Sequence, residues 1–189
     1  MTAQDVFRRM AGALDRSGIA FMVTGSFASS YHGAPRATQD IDLVISATED
    51  QLRSLAAQLP ASEYYVHLDA ALKAKRREAM FNIVDLATGW KIDFIFRKSR
   101  QFSLAEFERR TIVEFEGMHL PIATAEDVLI AKLEWAKAGE SQRQIEDAAG
   151  ILRVRSGNLD EAYIERWVQQ LGLEKQWADA RRVQAGGGS

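Results

Sequence analysis

Apolar residues recur at Val6, Phe7, Met10 and Leu14, the spacing of one helix face, and Gly18 follows where a helix C-cap belongs, so residues 3–17 are expected to form an amphipathic helix. "IAFMVTG" (residues 19–25) reads as a buried strand stopped by Gly25. "SFASSYHG" is short, rich in small residues and bounded by Gly33, as a helix starting at Ser26 would be. "DIDLVIS" (40–46) reads as a strand. Thr48 and Gln51 make a capping-box pair ahead of Leu52, Leu55, Ala56 and Leu59, and Pro60 marks the stop. Tyr64 and Tyr65 are assigned to a loop before a helix over "DAALKAKRREA". Two strands, "MFNIVDL" and "WKIDFIF", follow, joined by a turn at Ala87-Thr88-Gly89.

Ser103 and Glu106 suggest a second capping box opening a short helix from Ser103 to Arg110, and "TIVEFEGMHLPI" reads as a hairpin around Glu116-Gly117. From Thr124 onward the pattern is helical, in four segments punctuated by Gly139, Ser156-Gly157-Asn158 and Gly172. Trp135, Trp167 and Trp177 fall at bundle-like positions and are expected in the core. The order of elements predicts an α/β (α+β) fold: a mixed sheet with flanking helices over residues 1–120, and a C-terminal helical bundle over 121–184. The low-complexity residues 185–189 are expected to be disordered and are left out of the fold.

Composition narrows the function. With 189 residues, 47% of them hydrophobic, the chain can bury one core and a satellite. Cysteine is absent, which excludes disulfides, thiolate metal sites and a cysteine nucleophile, and fits a cytoplasmic protein. Charges interrupt the N-terminal segment and every longer apolar run, so neither a signal peptide nor a membrane span is expected. The balance of 24 basic against 26 acidic residues argues against the broad positive field of a dedicated nucleic-acid binder. A local basic patch at Lys73, Lys75, Arg76 and Arg77 reads as a solvated helix face, or as an attractor of an RNA acceptor if it lines a site.

The chemistry concentrates around Asp40 and Asp42. Strand side chains alternate, so the two carboxylates project together while Ile41 and Leu43 face the other way. Adjacent carboxylates repel, and a divalent cation is the economical counter-charge. Mg²⁺ is commonly held by one or two carboxylates together with substrate phosphates. Gly25-Ser26, at a strand-to-helix turn, could cradle those phosphates with backbone N–H groups and the Ser26 hydroxyl. A second metal would want a third carboxylate. Asp93 fits, since Ile92, Phe94 and Phe96 fill the face opposite to it, whereas Asp85 lies near the turn, where a solvated Asp is ordinary. His32, His67 and His119 show no ligand spacing.

Gly25-Ser26, thirteen residues, Asp40-Ile41-Asp42 and a later strand carrying Asp93 together resemble the signature of the DNA polymerase β-type nucleotidyltransferase superfamily. "APRATQDIDLVI" is similar to its small prokaryotic members, with Arg36, Thr38, Asp40 and Asp42 in an Arg-x-Thr-x-Asp-hydrophobic-Asp pattern. Lys132 and Asp147 resemble elements of the abortive-infection toxin branch, although Glu146 stands where that branch often has Lys. The resemblance implies transfer of a nucleoside monophosphate from an NTP to an acceptor hydroxyl, with Asp40, Asp42 and Asp93 as catalytic and metal residues for two Mg²⁺ ions, or Mn²⁺ in their place. It implies that Gly25, Ser26, Arg36, Thr38, Lys132 and Asp147 bind the nucleotide. The acceptor is open among tRNA or another RNA 3′ end, a partner protein and a small molecule, and a cognate toxin or antitoxin is a candidate partner. The alternative is a nucleotide-binding or toxin-neutralising module that kept this fold without turnover.

Overall fold

The computed structural model describes residues 3–35, 37–38, 40–115 and 117–186. They divide into two compact units, one of Met1–Thr24 with Thr38–Ile122 and one of Gly25–Ala37 with Ala123–Ser189.

The first unit opens with α1 (Ala3–Arg16), whose Val6, Phe7, Met10 and Leu14 are buried as their spacing predicts. Strand β1 (Ala20–Thr24) leads directly into α2 (Gly25–His32), which belongs to the second unit, and β2 (Asp40–Ser46) returns to the first. Next come α3 (Glu49–Ala57), β3 (Tyr64–Val66), α4 (Leu68–Arg76), β4 (Met80–Asp85), β5 (Lys91–Phe96), α5 (Gln101–Arg109), β6 (Thr111–Phe115) and β7 (Met118–Ile122). The strands form one seven-stranded mixed sheet in the order β3-β4-β5-β2-β1-β7-β6. Its centre is β2, antiparallel to β1 and parallel to β5.

One sheet face is the core. Phe21 and Val23, Ile41, Leu43 and Ile45, Ile92, Phe94 and Phe96, and Phe81 and Ile83 are all buried, with the Phe81 and Phe94 rings stacked at 5.0 Å. Alternation then sends the intervening side chains to the opposite face. Across β1, β2, β5 and β4 the register aligns Thr24, Asp42, Asp93 and Asn82 in one row of that face. Fully apolar neighbours on the core side fix the register, because a slip by one residue would exchange the two faces.

The Thr48–Gln51 capping box forms as expected: the Thr48 hydroxyl accepts from the Gln51 backbone N–H at 3.2 Å, and the Gln51 side-chain oxygen accepts from the Thr48 backbone N–H at 2.8 Å. Both hairpins also form, β4 with β5 and β6 with β7. Two assignments are corrected. Tyr64 and Tyr65 lie on β3, which pairs antiparallel with β4, rather than in a loop. Ser103 does not cap α5: the helix starts at Gln101, and Ser103 is buried inside it, its hydroxyl accepting from Arg100 Nε at 3.0 Å.

The second unit combines α2 with α6 (Ala125–Gly139), α7 (Gln142–Val154), α8 (Glu161–Leu171) and α9 (Glu174–Gly186). Thr124 caps α6 and donates to Asp127 Oδ2 at 2.7 Å, while the Tyr163 hydroxyl of α8 donates to Asp127 Oδ1 at 2.6 Å. That gives the fully buried Asp127 strong partners and ties α8 to α6. After α2, a Cβ on Gly33 would lie 2.8 Å from the Ile151 backbone nitrogen, so only glycine permits this approach to α7. Trp167 is buried, but Trp135 is 56% exposed, against expectation. The buried face of α6 comprises Asp127, Val128, Leu129, Ile130, Lys132, Leu133 and Ala136, and Trp135 falls outside it. Among the described residues, no helix is long and apolar enough to cross a membrane.

Candidate active site

The candidate residues divide between the units. Thr38, Asp40, Asp42 and Asp93 lie in the first; Gly25, Ser26, Lys132 and Asp147 lie in the second. Arg36 lies outside the described residues.

Parallel pairing of β2 with β5 sets Asp42 directly beside Asp93 and Asp40 directly beside Lys91. All four side chains therefore share the face turned away from the apolar core. Asp93 is 5% exposed, Asp42 is partly buried and Asp40 is exposed, so the cluster runs from a buried end to an open one. Thr38 braces the open end: its hydroxyl donates to the Asp40 carbonyl at 3.2 Å, and the Asp40 N–H returns to that hydroxyl at 3.4 Å.

Lys91 was not among the residues expected here. Its ammonium lies 2.9 Å from Asp93 Oδ2 and 3.8 Å from Asp40 Oδ1. The hydrogen bond to Asp93 is the chief reason its pKa is raised above the ordinary 10.5, with the charges of Asp93, Asp40 and Asp42 acting in the same direction and burial opposing them. The signal was available in the sequence: Lys91 stands two positions before Asp93 on the same strand, and the alternation that pairs Asp40 with Asp42 pairs these two as well.

The donor set suits a hard divalent cation. Asp93 Oδ1 is buried and accepts no hydrogen bond from the described residues, leaving a carboxylate oxygen with coordination capacity, and oxygen donors are what Mg²⁺ prefers. Among the described residues, however, no group of three or more acidic or histidine side chains is placed so as to hold a metal ion. Lys91 places a positive charge beside Asp93 and Asp40.

Asp85, the rival third carboxylate, is elsewhere. It shares the parity of Phe81 and Ile83 on β4, facing the core side, and it is 1% exposed rather than solvated. Its Oδ1 accepts from the N–H groups of Ala87 and Thr88 at 3.1 and 3.0 Å, and its Oδ2 accepts from Arg9 of α1.

In the second unit, Gly25 has φ +63°, a left-handed conformation that glycine adopts readily, and it begins α2 with Ser26 in the first turn. Lys132 and Asp147 meet each other. The ammonium donates to Asp147 Oδ2 at 2.8 Å, with the side chains 5% and 9% exposed. Asp147 thus pairs across helices with Lys132. His32 is buried, its Nε2 2.7 Å from the Ala123 carbonyl and its Nδ1 3.3 Å from the Arg155 guanidinium. Lys73 and Arg76 on α4 and Arg77 at its C-cap are exposed, and Arg76 hydrogen-bonds Glu49 at 3.1 Å.

No protein-family model matches the sequence, and no curated protein matches it. Solved structures do resemble the chain. The lincosamide antibiotic adenylyltransferase LnuA, with lincomycin bound, aligns at a TM-score of 0.52 and 12% identity, covering 82% of this chain and 98% of that one. ANT(2'')-Ia in complex with adenylyl-2''-tobramycin aligns at a TM-score of 0.50 and 15% identity, covering 97% and 98%. At such identities the likeness concerns the fold, and the fold is of the nucleotidyltransferase type.

Proposed function

We propose that the chain is a metal-dependent nucleotidyltransferase that moves a nucleoside monophosphate from an NTP to an acceptor hydroxyl and releases pyrophosphate. The observation that carries this reading is the β2–β5 register, which aligns Asp42 with Asp93 and Asp40 with Lys91 on the face away from the core. Asp40, Asp42 and Asp93 would hold Mg²⁺, as two ions, or Mn²⁺ in its place. When bound, the metal supplies positive charge against the triphosphate and the charge developing at the α-phosphorus.

The protein's own part is positioning. Gly25 and Ser26 would hold the β- and γ-phosphates, Arg36 and Lys132 would add positive charge to the nucleotide, Thr38 would fix the Asp40 backbone, and Asp147 would orient Lys132. The acceptor oxygen forms a bond to the α-phosphorus as the bond to the oxygen bridging the β-phosphate breaks. Pyrophosphate leaves, and the acceptor proton passes to the Asp93 carboxylate.

The acceptor belongs to one of three classes: an RNA 3′ end, a partner protein such as a cognate toxin or antitoxin, or a small molecule, the last suggested by the tobramycin and lincomycin of the similar structures. Labelled NTPs incubated with the protein and a cell extract identify the class by where the label enters. Asp42→Ala and Asp93→Ala should each reduce Mg²⁺-dependent pyrophosphate release by at least roughly a hundredfold. Undiminished release from both variants would refute the assignment.

One observation favours a second reading, a nucleotide-binding module without turnover: the Lys91 ammonium already neutralises Asp93. Calorimetry with ATP and Mg²⁺ beside the release assay separates the two, because a pure binder gives heat without product.

A further inference from the structure

We propose that Lys91 is a displaceable internal counter-ion, which holds the carboxylates together in the metal-free protein and gives way when a divalent cation enters. The inference rests on the metal-dependent reading above and adds to it a residue with a stated task.

The placement is specific. An exposed lysine ordinarily extends its ammonium into water. Lys91 is 39% exposed, yet its ammonium reaches sideways to Asp93 Oδ2 at 2.9 Å and toward Asp40 Oδ1 at 3.8 Å. It thereby spans the open and buried ends of the cluster. Lys91 meets Asp93 through Oδ2 alone, and Asp93 Oδ1 still accepts no hydrogen bond from the described residues. Removing the ammonium would leave a buried carboxylate without its counter-charge, which is unfavourable unless another cation replaces it. A lysine suits that exchange. Its ammonium is a compact charge on a flexible four-carbon stem that can swing outward without moving the strand, unlike the planar, bidentate fork of an arginine.

Ammonium and metal therefore compete for the same oxygens. The metal-free fold is protected from carboxylate repulsion, and metal affinity is held down until nucleotide phosphates add their own ligands.

The test compares wild type with Lys91→Met, Lys91→Arg, Asp93→Asn and the double variant Lys91→Met/Asp93→Asn. Thermal unfolding is followed in EDTA and in Mn²⁺, and Mn²⁺ binding is titrated by electron paramagnetic resonance without nucleotide. In EDTA, Lys91→Met should melt below wild type, and the double variant should recover most of that loss. Mn²⁺ should restore Lys91→Met and bind it at least about tenfold more tightly than wild type, a difference of about 1.4 kcal/mol. Lys91→Arg should bind Mn²⁺ no better than wild type, and Asp93→Asn should lose binding.

Equal or weaker Mn²⁺ binding by Lys91→Met, or a melting loss that Mn²⁺ does not reverse, overturns the exchange. The outcomes separate the two claims. Exchange without pyrophosphate release from any NTP refutes the enzyme and keeps the counter-ion; metal-dependent release with no gain in Mn²⁺ affinity does the reverse.

Discussion

Asp85 and Asp93 sit on adjacent strands of one hairpin, both buried and both beside a cation, and they illustrate opposite uses of an aspartate. Asp85 faces the core side with Phe81 and Ile83, and both its oxygens are taken, by two turn N–H groups and by an arginine from α1. Asp93 faces the other way, meets a lysine through one oxygen, and accepts no hydrogen bond from the described residues through the other. Fixed donors that saturate a buried carboxylate make it part of the scaffold. A mobile counter-ion and an unused oxygen leave it available for chemistry. Burial alone would not have distinguished them.

Stability measurements can break that comparison. Arg9→Met leaves Asp85 charged and buried without its cation, a loss expected to cost about 3 kcal/mol, the low end for breaking a buried pair because Arg9 is partly exposed. In a chain of this size that is a fall of roughly 6–12 °C in melting temperature. Asp93→Asn removes an incompletely satisfied charge and should leave the metal-free melting temperature unchanged or higher. If Asp93→Asn proves as damaging as Arg9→Met, Asp93 is scaffold too, and the contrast disappears.

Lys132 and Asp147 sharpen the same question in the helical unit. They form a buried pair at 2.8 Å, which by the Asp85 standard is structural, whereas the proposed function places Lys132 on the nucleotide. Lys132→Met should lower stability by about 3 kcal/mol, comparable to Arg9→Met, as for a buried pair that loses one partner. If the side chain is also used on the nucleotide, the NTP dissociation constant measured by calorimetry should rise by at least about tenfold at temperatures where the variant is fully folded. A stability loss with unchanged NTP affinity assigns the pair to the scaffold alone.

Much of this was legible because both sheet and helix periods were strong. The four C-terminal helices, both hairpins and the Thr48 cap followed from spacing and turn residues. The alternation that put Asp40 and Asp42 on one face also carried the information that Lys91 joins Asp93 and that Asp85 opposes it. Other features depend on partners distant in sequence. β3 is three residues long and exists through its pairing with β4, so Tyr64 and Tyr65 show no pattern of their own. Ser103 has the spacing of a cap but lies inside a helix held by Phe102 and Phe107, both buried. Nothing in residues 25–37 announces that α2 packs with α6 and α7 rather than staying with the sheet it interrupts.

His32, at the end of α2, offers the smallest and most selective test, because it is saturated in the manner of Asp85. Arg155 has only donors, so its approach to Nδ1 requires a lone pair there. The proton then resides on Nε2, which donates to the Ala123 carbonyl, and the ring is neutral. Burial, as the main cause, and the Arg155 charge lower the pKa from 6.5, while the Ala123 hydrogen bond and Glu126 oppose them. As pH falls through 6.5 the unfolded chain takes up this proton and the folded chain resists, so the unfolded state binds more protons and stability declines. The decline ends below the lowered folded value, where both states are protonated. Urea unfolding at a series of pH values should therefore show a modest loss below about 6.5 that His32→Gln lacks. A parallel pH dependence in that variant would assign the loss to other groups and remove His32 from the saturated class.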